Sequence, residues 1–132
     1  MMKFKIEHIA EVSSTNTLAL ERAQQDAAEG LVITTDHQTS GRGKPGRSWI
    51  SPKSKNLLCS ILLRPPLSPA QAPMLTQIAC RAVAKVLTEM YEIPTEVKNP
   101  NDLMIGSQKY AGLWWKRYQR PPSFKPWSSA SV

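Results

Sequence analysis

Cysteine, histidine and long apolar runs are all scarce in this 132-residue sequence, and each scarcity closes a class of function. The two cysteines, Cys59 and Cys80, sit in apolar surroundings with no CxxC spacing and no histidine at metal-ligand spacing. That predicts two reduced, buried thiols rather than a zinc site or a disulfide framework. No window approaches the roughly 18 consecutive apolar residues of a membrane span, so no membrane partner is expected. The start, Met1 to Glu7, interleaves charges with short apolar pairs and lacks the apolar stretch of a signal peptide, so a cytoplasmic protein is expected. The length suits one modest domain that buries its own core and excludes a two-domain enzyme.

Acidic residues are missing from two stretches. From His37 to Thr88 there are eight Lys or Arg and no Asp or Glu, and five of those bases, Arg42, Lys44, Arg47, Lys53 and Lys55, fall within fourteen residues. Residues 114–132 carry four bases and no acid, and so supply +4 of the formal net charge of +7. A basic loop raises the local concentration of anions, and the phosphate of a nucleotide or nucleic acid is the obvious ligand. A solvated surface loop without a ligand explains the same charges equally well.

What is present reads as alternating helix and strand. Phe4, Ile6, Ile9 and Val12 suggest a short first strand or edge segment. Ser13 to Thr17 offers a cluster of N-cap residues, followed by Leu18, Ala19, Leu20, Ala23 and Ala27 at helical spacing and by Gly30 as a stop. Leu31 to Thr35 and Asn56 to Leu63 read as buried strands, the second ended by Arg64-Pro65-Pro66. Between Pro73 and Glu92 apolar residues recur at three and four, the strongest helical signal in the chain, and one face should pack on a sheet. Short strands follow at 95–98, 103–105 and 109–115, separated by the turns Asn99-Pro100-Asn101-Asp102 and Gly106-Ser107. The order predicts an α/β (α+β) fold, a mixed sheet with helices packed on it. After residue 114 the composition changes to prolines, bases and tryptophans with almost no aliphatic residue, which predicts disorder.

Gly41-Arg42-Gly43-Lys44-Pro45-Gly46 satisfies G-x-G-x-x-G after a predicted strand, and Gly41 to Ser48 nearly spells a Walker A loop. Both readings fail on context. Each needs a helix to open where Trp49-Ile50-Ser51-Pro52 follows, and Pro45 sits inside the motif. What survives is a glycine-rich basic loop whose backbone N–H groups can approach an anion closely.

The order Ser14-Thr15-Asn16, then Gln38-Thr39-Ser40-Gly41-Arg42-Gly43-Lys44-Pro45-Gly46-Arg47-Ser48-Trp49, then Lys98-Asn99-Pro100-Asn101-Asp102, then Lys109-Tyr110-Ala111-Gly112 closely resembles the catalytic domain of biotin–protein ligases. The resemblance covers roughly residues 5–113. It implies two steps: biotin and ATP, with Mg²⁺, form biotinyl-adenylate and pyrophosphate, and the acyl group then passes to a lysine on the biotin carboxyl carrier domain of a carboxylase. In that reading Ser14, Thr15 and Asn16 hold the ureido ring of biotin. Gln38, Arg42, Gly43 and Lys44 cover its carboxylate and the α-phosphate, Gly41 and Arg47 complete the nucleotide loop, and Trp49 lies near the adenine. Lys109 and Lys44 are the catalytic cations, with Lys109 also reaching the reacting carboxylate. Asn101 and Asp102 orient the phosphates, and Asp102 is the metal ligand. Plain readings stay open beside these: an N-cap at Ser14, a core aromatic at Trp49, a solvated edge at Lys109, and a simple turn at Asn101-Asp102.

The sequence departs from the family in three places. Asn99 stands where the family usually has Trp, and Lys44-Pro45 stands where it more often has two arginines. After Leu113 the family's closing strands are not recognisable. We therefore expect residues 1–113 to be a partial catalytic domain, with 114–132 an atypical tail of the kind a shifted reading frame or early stop produces. Such a truncation puts catalytic activity in question and leaves open whether the chain forms a homodimer. With about a dozen residues before Ser14, no DNA-binding module is expected. Two other functions compete: a lipoate or octanoyl ligase-type transferase, and a non-catalytic nucleic-acid-binding remnant using the basic loop and tail.

Overall fold

The computed structural model describes residues 2–41, 52–98, 102–118 and 127–131. Among them the elements run β1 (Lys5–Val12), α1 (Thr15–Gln24), β2 (Leu31–Gln38), β3 (Leu58–Leu63), a 3-10 turn (Pro69–Gln71), α2 (Pro73–Tyr91), β4 (Glu96–Lys98), β5 (Asp102–Ile105), β6 (Gln108–Gly112), β7 (Trp114–Tyr118) and β8 (Trp127–Ser131). They form two compact units, residues 1–66 with 116–132 and residues 67–115.

In the first unit β1 and β2 are parallel neighbours, which requires a crossover connection, and α1 supplies it. β3 returns antiparallel to β2, with Thr35 opposite Leu58 and Val32 opposite Ile61. Ala19 and Ala23, one turn apart on α1, join Leu31, Ile33 and Leu62 in the core. Small side chains on the helix let it approach the sheet closely, and burying Ile33 and Leu62 contributes about 1.5–3 kcal/mol each. The connection into β2 turns through Gly30 at φ +94°, where an added Cβ would lie 2.2 Å from the Lys3 carbonyl oxygen. Only glycine fits there. Arg64 closes the far end of β3, donating from its backbone to Glu29 and from its guanidinium to the Ala27 carbonyl. Burial holds the Arg64 pKa below the usual guanidinium value.

The second unit sets α2 beside a three-stranded antiparallel meander, β4-β5-β6. Pro73 opens α2 at a position where a missing N–H costs nothing, and Glu92 ends it in a left-handed conformation. Thr76 and Cys80 are buried on one side of the helix. Its apolar positions exceed one face: Met74, Ile78, Val86 and Met90, spaced at four or multiples of it, are exposed.

The expected mixed α+β architecture is laid out as a five-stranded mixed sheet in the order β1-β2-β3-β8-β7 and the separate meander. β8 pairs antiparallel with β3, placing Ser131 opposite Ser60 and Ala130 opposite Ile61. The edge of β3 supplies the backbone ladder that β8 joins. Cys59 and Cys80 are both buried, as their surroundings predict.

Candidate functional site

The carboxyl ends of the parallel strands β1 and β2 bring together the first group of sequence-predicted residues. Such strand ends are where open α/β sheets commonly bind ligands. The ladder continues past β1 and β2, with Thr39 N donating to Val12 O at 3.0 Å and Ser40 N to Ser13 O at 2.8 Å. This carries the chain into α1 on one side and to buried Gly41 on the other.

Ser14, in extended backbone geometry, caps α1 by accepting from Thr17 N at 3.4 Å. The capping reading of Ser14 is thus realised. Capping alone does not explain its neighbours, because Thr15 and Asn16, each 3% exposed, are as deeply buried as core residues. Buried polar groups require partners. Thr15 finds its partner across the sheet: its backbone N–H donates to Gln38 Oε1 at 2.8 Å, its hydroxyl lies 3.1 Å from the same oxygen, and Ser60 Oγ lies 2.8 Å from that hydroxyl. Ser60 is fully buried on β3 and was not among the residues singled out from the sequence. A signal for it existed, a hydroxyl inside the apolar run Leu57 to Leu63.

The second group lies in the other unit. Lys109 Nζ is 2.9 Å from Asp102 Oδ1, with the lysine side chain 43% exposed and the aspartate 18%. A one-residue shift in the β5–β6 ladder produces this pairing. Asp102 is opposite Gly112 and Leu103 opposite Ala111, but Met104 is opposite Lys109, leaving Tyr110 as the extra residue of a β-bulge. Lys109 therefore stands diagonal to Asp102 on one face, within reach of a long side chain. Burial and the nearby Asp102 charge both push the Cys80 thiol pKa up.

Arg42, Gly43, Lys44, Arg47, Trp49 and Asn101 lie outside the described residues. Among the described residues no group of three or more His, Cys, Asp or Glu side chains is arranged to hold a metal ion. No helix among them is long and apolar enough to cross a membrane.

A model of the Biotin/lipoate A/B protein ligase family matches residues 9–125. The chain is similar to the Bifunctional ligase/repressor BirA of Bacillus subtilis, at 37% identity over 102 residues covering 77% of this chain and 31% of that protein. It is also similar to the Biotin--[acetyl-CoA-carboxylase] ligase of Mycobacterium tuberculosis, at 32% identity over 114 residues covering 83% of this chain and 43% of that protein. Among solved structures, the biotin protein ligase from Aquifex aeolicus in complex with biotin and ATP matches with a TM-score of 0.74 at 28% identity, over 96% of this chain and 50% of that one. The chain thus spans from under a third to about half of the length of these relatives. With the family model matching most of its length, the chain belongs to the biotin/lipoate A/B protein ligase family.

Proposed function

We propose that this chain carries the biotin- and nucleotide-handling residues of an ATP-dependent biotin–protein ligase acting in the cytoplasm. The observation that carries the reading is the cluster of buried Ser14, Thr15 and Asn16 with half-buried Gln38 at the ends of two parallel strands. Desolvated polar side chains grouped at a strand end suit a compact polar ring such as the ureido group of biotin. Support comes from the similar Mycobacterium tuberculosis protein, a biotin–[acetyl-CoA-carboxylase] ligase, and from the Aquifex aeolicus biotin protein ligase, which is in complex with biotin and ATP.

In the first step a biotin carboxylate oxygen attacks the α-phosphorus of ATP. The Oα–P bond of the acyl-adenylate forms, the bond to the bridging oxygen breaks, and pyrophosphate leaves. Negative charge builds on the oxygens in transit, and a fixed cation stabilises it. Lys109 is that cation, held by Asp102 until a ligand carboxylate or phosphate competes for it. In the second step a carrier-domain lysine amine attacks the acyl carbon, the acyl–oxygen bond breaks, AMP departs and the amine loses its proton. Arg42, Gly43, Lys44, Arg47 and Trp49 complete the nucleotide site, with Lys44 as the second cation, and Asn101 orients the phosphates.

The donor set fits Mg²⁺ only as a companion of the nucleotide. Asp102 is a single carboxylate already paired with Lys109, so the ion would sit mainly on phosphate oxygens and water with Asp102 as its protein ligand. When bound there it supplies charge neutralisation on the pyrophosphate leaving group.

The test is exchange of labelled pyrophosphate into ATP, run in parallel with biotin, lipoate and octanoate. Exchange dependent on biotin and absent in K109A supports the reading. Exchange with lipoate or octanoate alone reassigns the substrate, and no exchange from folded chain refutes adenylation by these residues.

A further inference from the structure

The Thr15, Gln38 and Ser60 contacts fix the placement of every proton between them. A backbone N–H can only donate, so the atom that Thr15 N meets at 2.8 Å must be the Gln38 carbonyl oxygen and not its nitrogen. That oxygen cannot donate, so the Thr15 hydroxyl, 3.1 Å away, gives it its one proton. Having spent that proton, Thr15 Oγ1 can only accept from Ser60 Oγ at 2.8 Å. The order is Ser60 O–H to Thr15 O–H to Gln38 C=O. Both N–H bonds of the Gln38 carboxamide stay clear of the relay, and among the described residues they have no hydrogen-bond partner.

We propose that Ser60 is a positioning residue for this binding site, a fully buried hydroxyl that, through Thr15, reinforces the inward setting of the Gln38 carboxamide oxygen and so the presentation of its nitrogen to an acceptor oxygen of the ligand. Without the Ser60 proton, the Thr15 hydroxyl loses the bond that fixes its direction toward Gln38, and the inward carboxamide oxygen is held by the Thr15 backbone N–H alone, a weaker hold. Ser60 acts through Thr15 and Gln38 and touches no ligand. The identity of that ligand as biotin rests on the function proposed above, whereas the proton order does not.

Two measurements separate these claims. In ligand-free chain, the Gln38 side-chain amide signals and the exchange rate of the Thr15 backbone amide are followed by NMR in wild type, S60A and S60C. S60C is slightly larger and offers a weaker donor, whereas S60A removes the donor with little change in volume. Expected are displaced Gln38 signals and about tenfold faster Thr15 exchange in S60A, with S60C between the two. Calorimetric titration with biotin then compares S60A in the wild-type and T15V backgrounds. Affinity should fall about tenfold in the first and by less than about twofold in the second, since the relay is already cut. Unmoved Gln38 signals in both serine variants, or equal losses in both backgrounds, overturn the proposal, because a packing role would act without Thr15. A wild-type chain that fails to bind biotin while its Gln38 signals respond to S60A supports the relay and removes biotin as the ligand.

Discussion

Lys109 faces Asp102 because the ladder between them slips by one residue at Tyr110. Counted without a break from the Asp102–Gly112 pair, Lys109 would stand opposite Ile105 on the other side of the sheet, since a one-residue change of register reverses every side chain beyond it. The bulge thus decides whether the hairpin presents a cation and its carboxylate together. It also gives the lysine a counter-ion that leaves it in place when no ligand is bound.

Replacing Lys109 should therefore separate stability from chemistry. With the lysine nearly half exposed, K109A is expected to change unfolding stability by no more than about 1 kcal/mol. Biotin-dependent pyrophosphate exchange in the same variant should fall at least about 100-fold, because one fixed charge at a developing anion has that order of effect. Urea titration and the exchange assay on one preparation check both halves.

The Glu7–Arg22 pair predicts an acid-sensitive contribution to folding. Arg22 Nη2 lies 2.7 Å from Glu7 Oε1, and that hydrogen bond holds the Glu7 carboxyl below the usual carboxylate range. The native state thus keeps Glu7 ionised at pH values where the unfolded chain protonates it. The stabilisation is present above the unfolded value, near pH 4, and disappears as pH falls through the lower folded value. Urea midpoints measured from about pH 6 to about pH 3 should fall less steeply in E7Q than in wild type.

At Gly30 a side chain has no room and the wrong backbone. G30A is expected to cost about 2 kcal/mol or more, because φ +94° strains an L-residue and its Cβ would run into the Lys3 carbonyl. Thermal unfolding of the variant reads this directly, and a midpoint within a degree or two of wild type would contradict it.

Neither thiol should react in the folded chain. Cys59 and Cys80 are buried, and the Cys80 pKa is raised further by burial and by the Asp102 charge, so the reactive thiolate is suppressed. A disulfide reagent at neutral pH should titrate no thiol natively and both thiols in denaturant.

Much of the fold was legible from local pattern. The cap at Ser14, the Ala19 and Ala23 spacing, the β-branched run after Gly30 and the periodicity beyond Pro73 each fix an element through short-range chemistry, and the observed elements begin and end close to where those signals fall. The pairing of Trp127–Ser131 with β3 was not legible, because composition reports what a segment can bury and not which open edge it will meet.

The sequence by itself determined the family, through four short motifs in order, and the identity of the polar residues those motifs carry. Tertiary structure decided their relations. It brought Ser60 to Thr15 across 45 residues and gave the Gln38 carboxamide a direction. It turned Lys109 toward Asp102 through a bulge that no residue type announces. Motifs are local and persist in any register, whereas hydrogen-bond direction and side-chain facing depend on which strand lies alongside and on which residue is left unpaired.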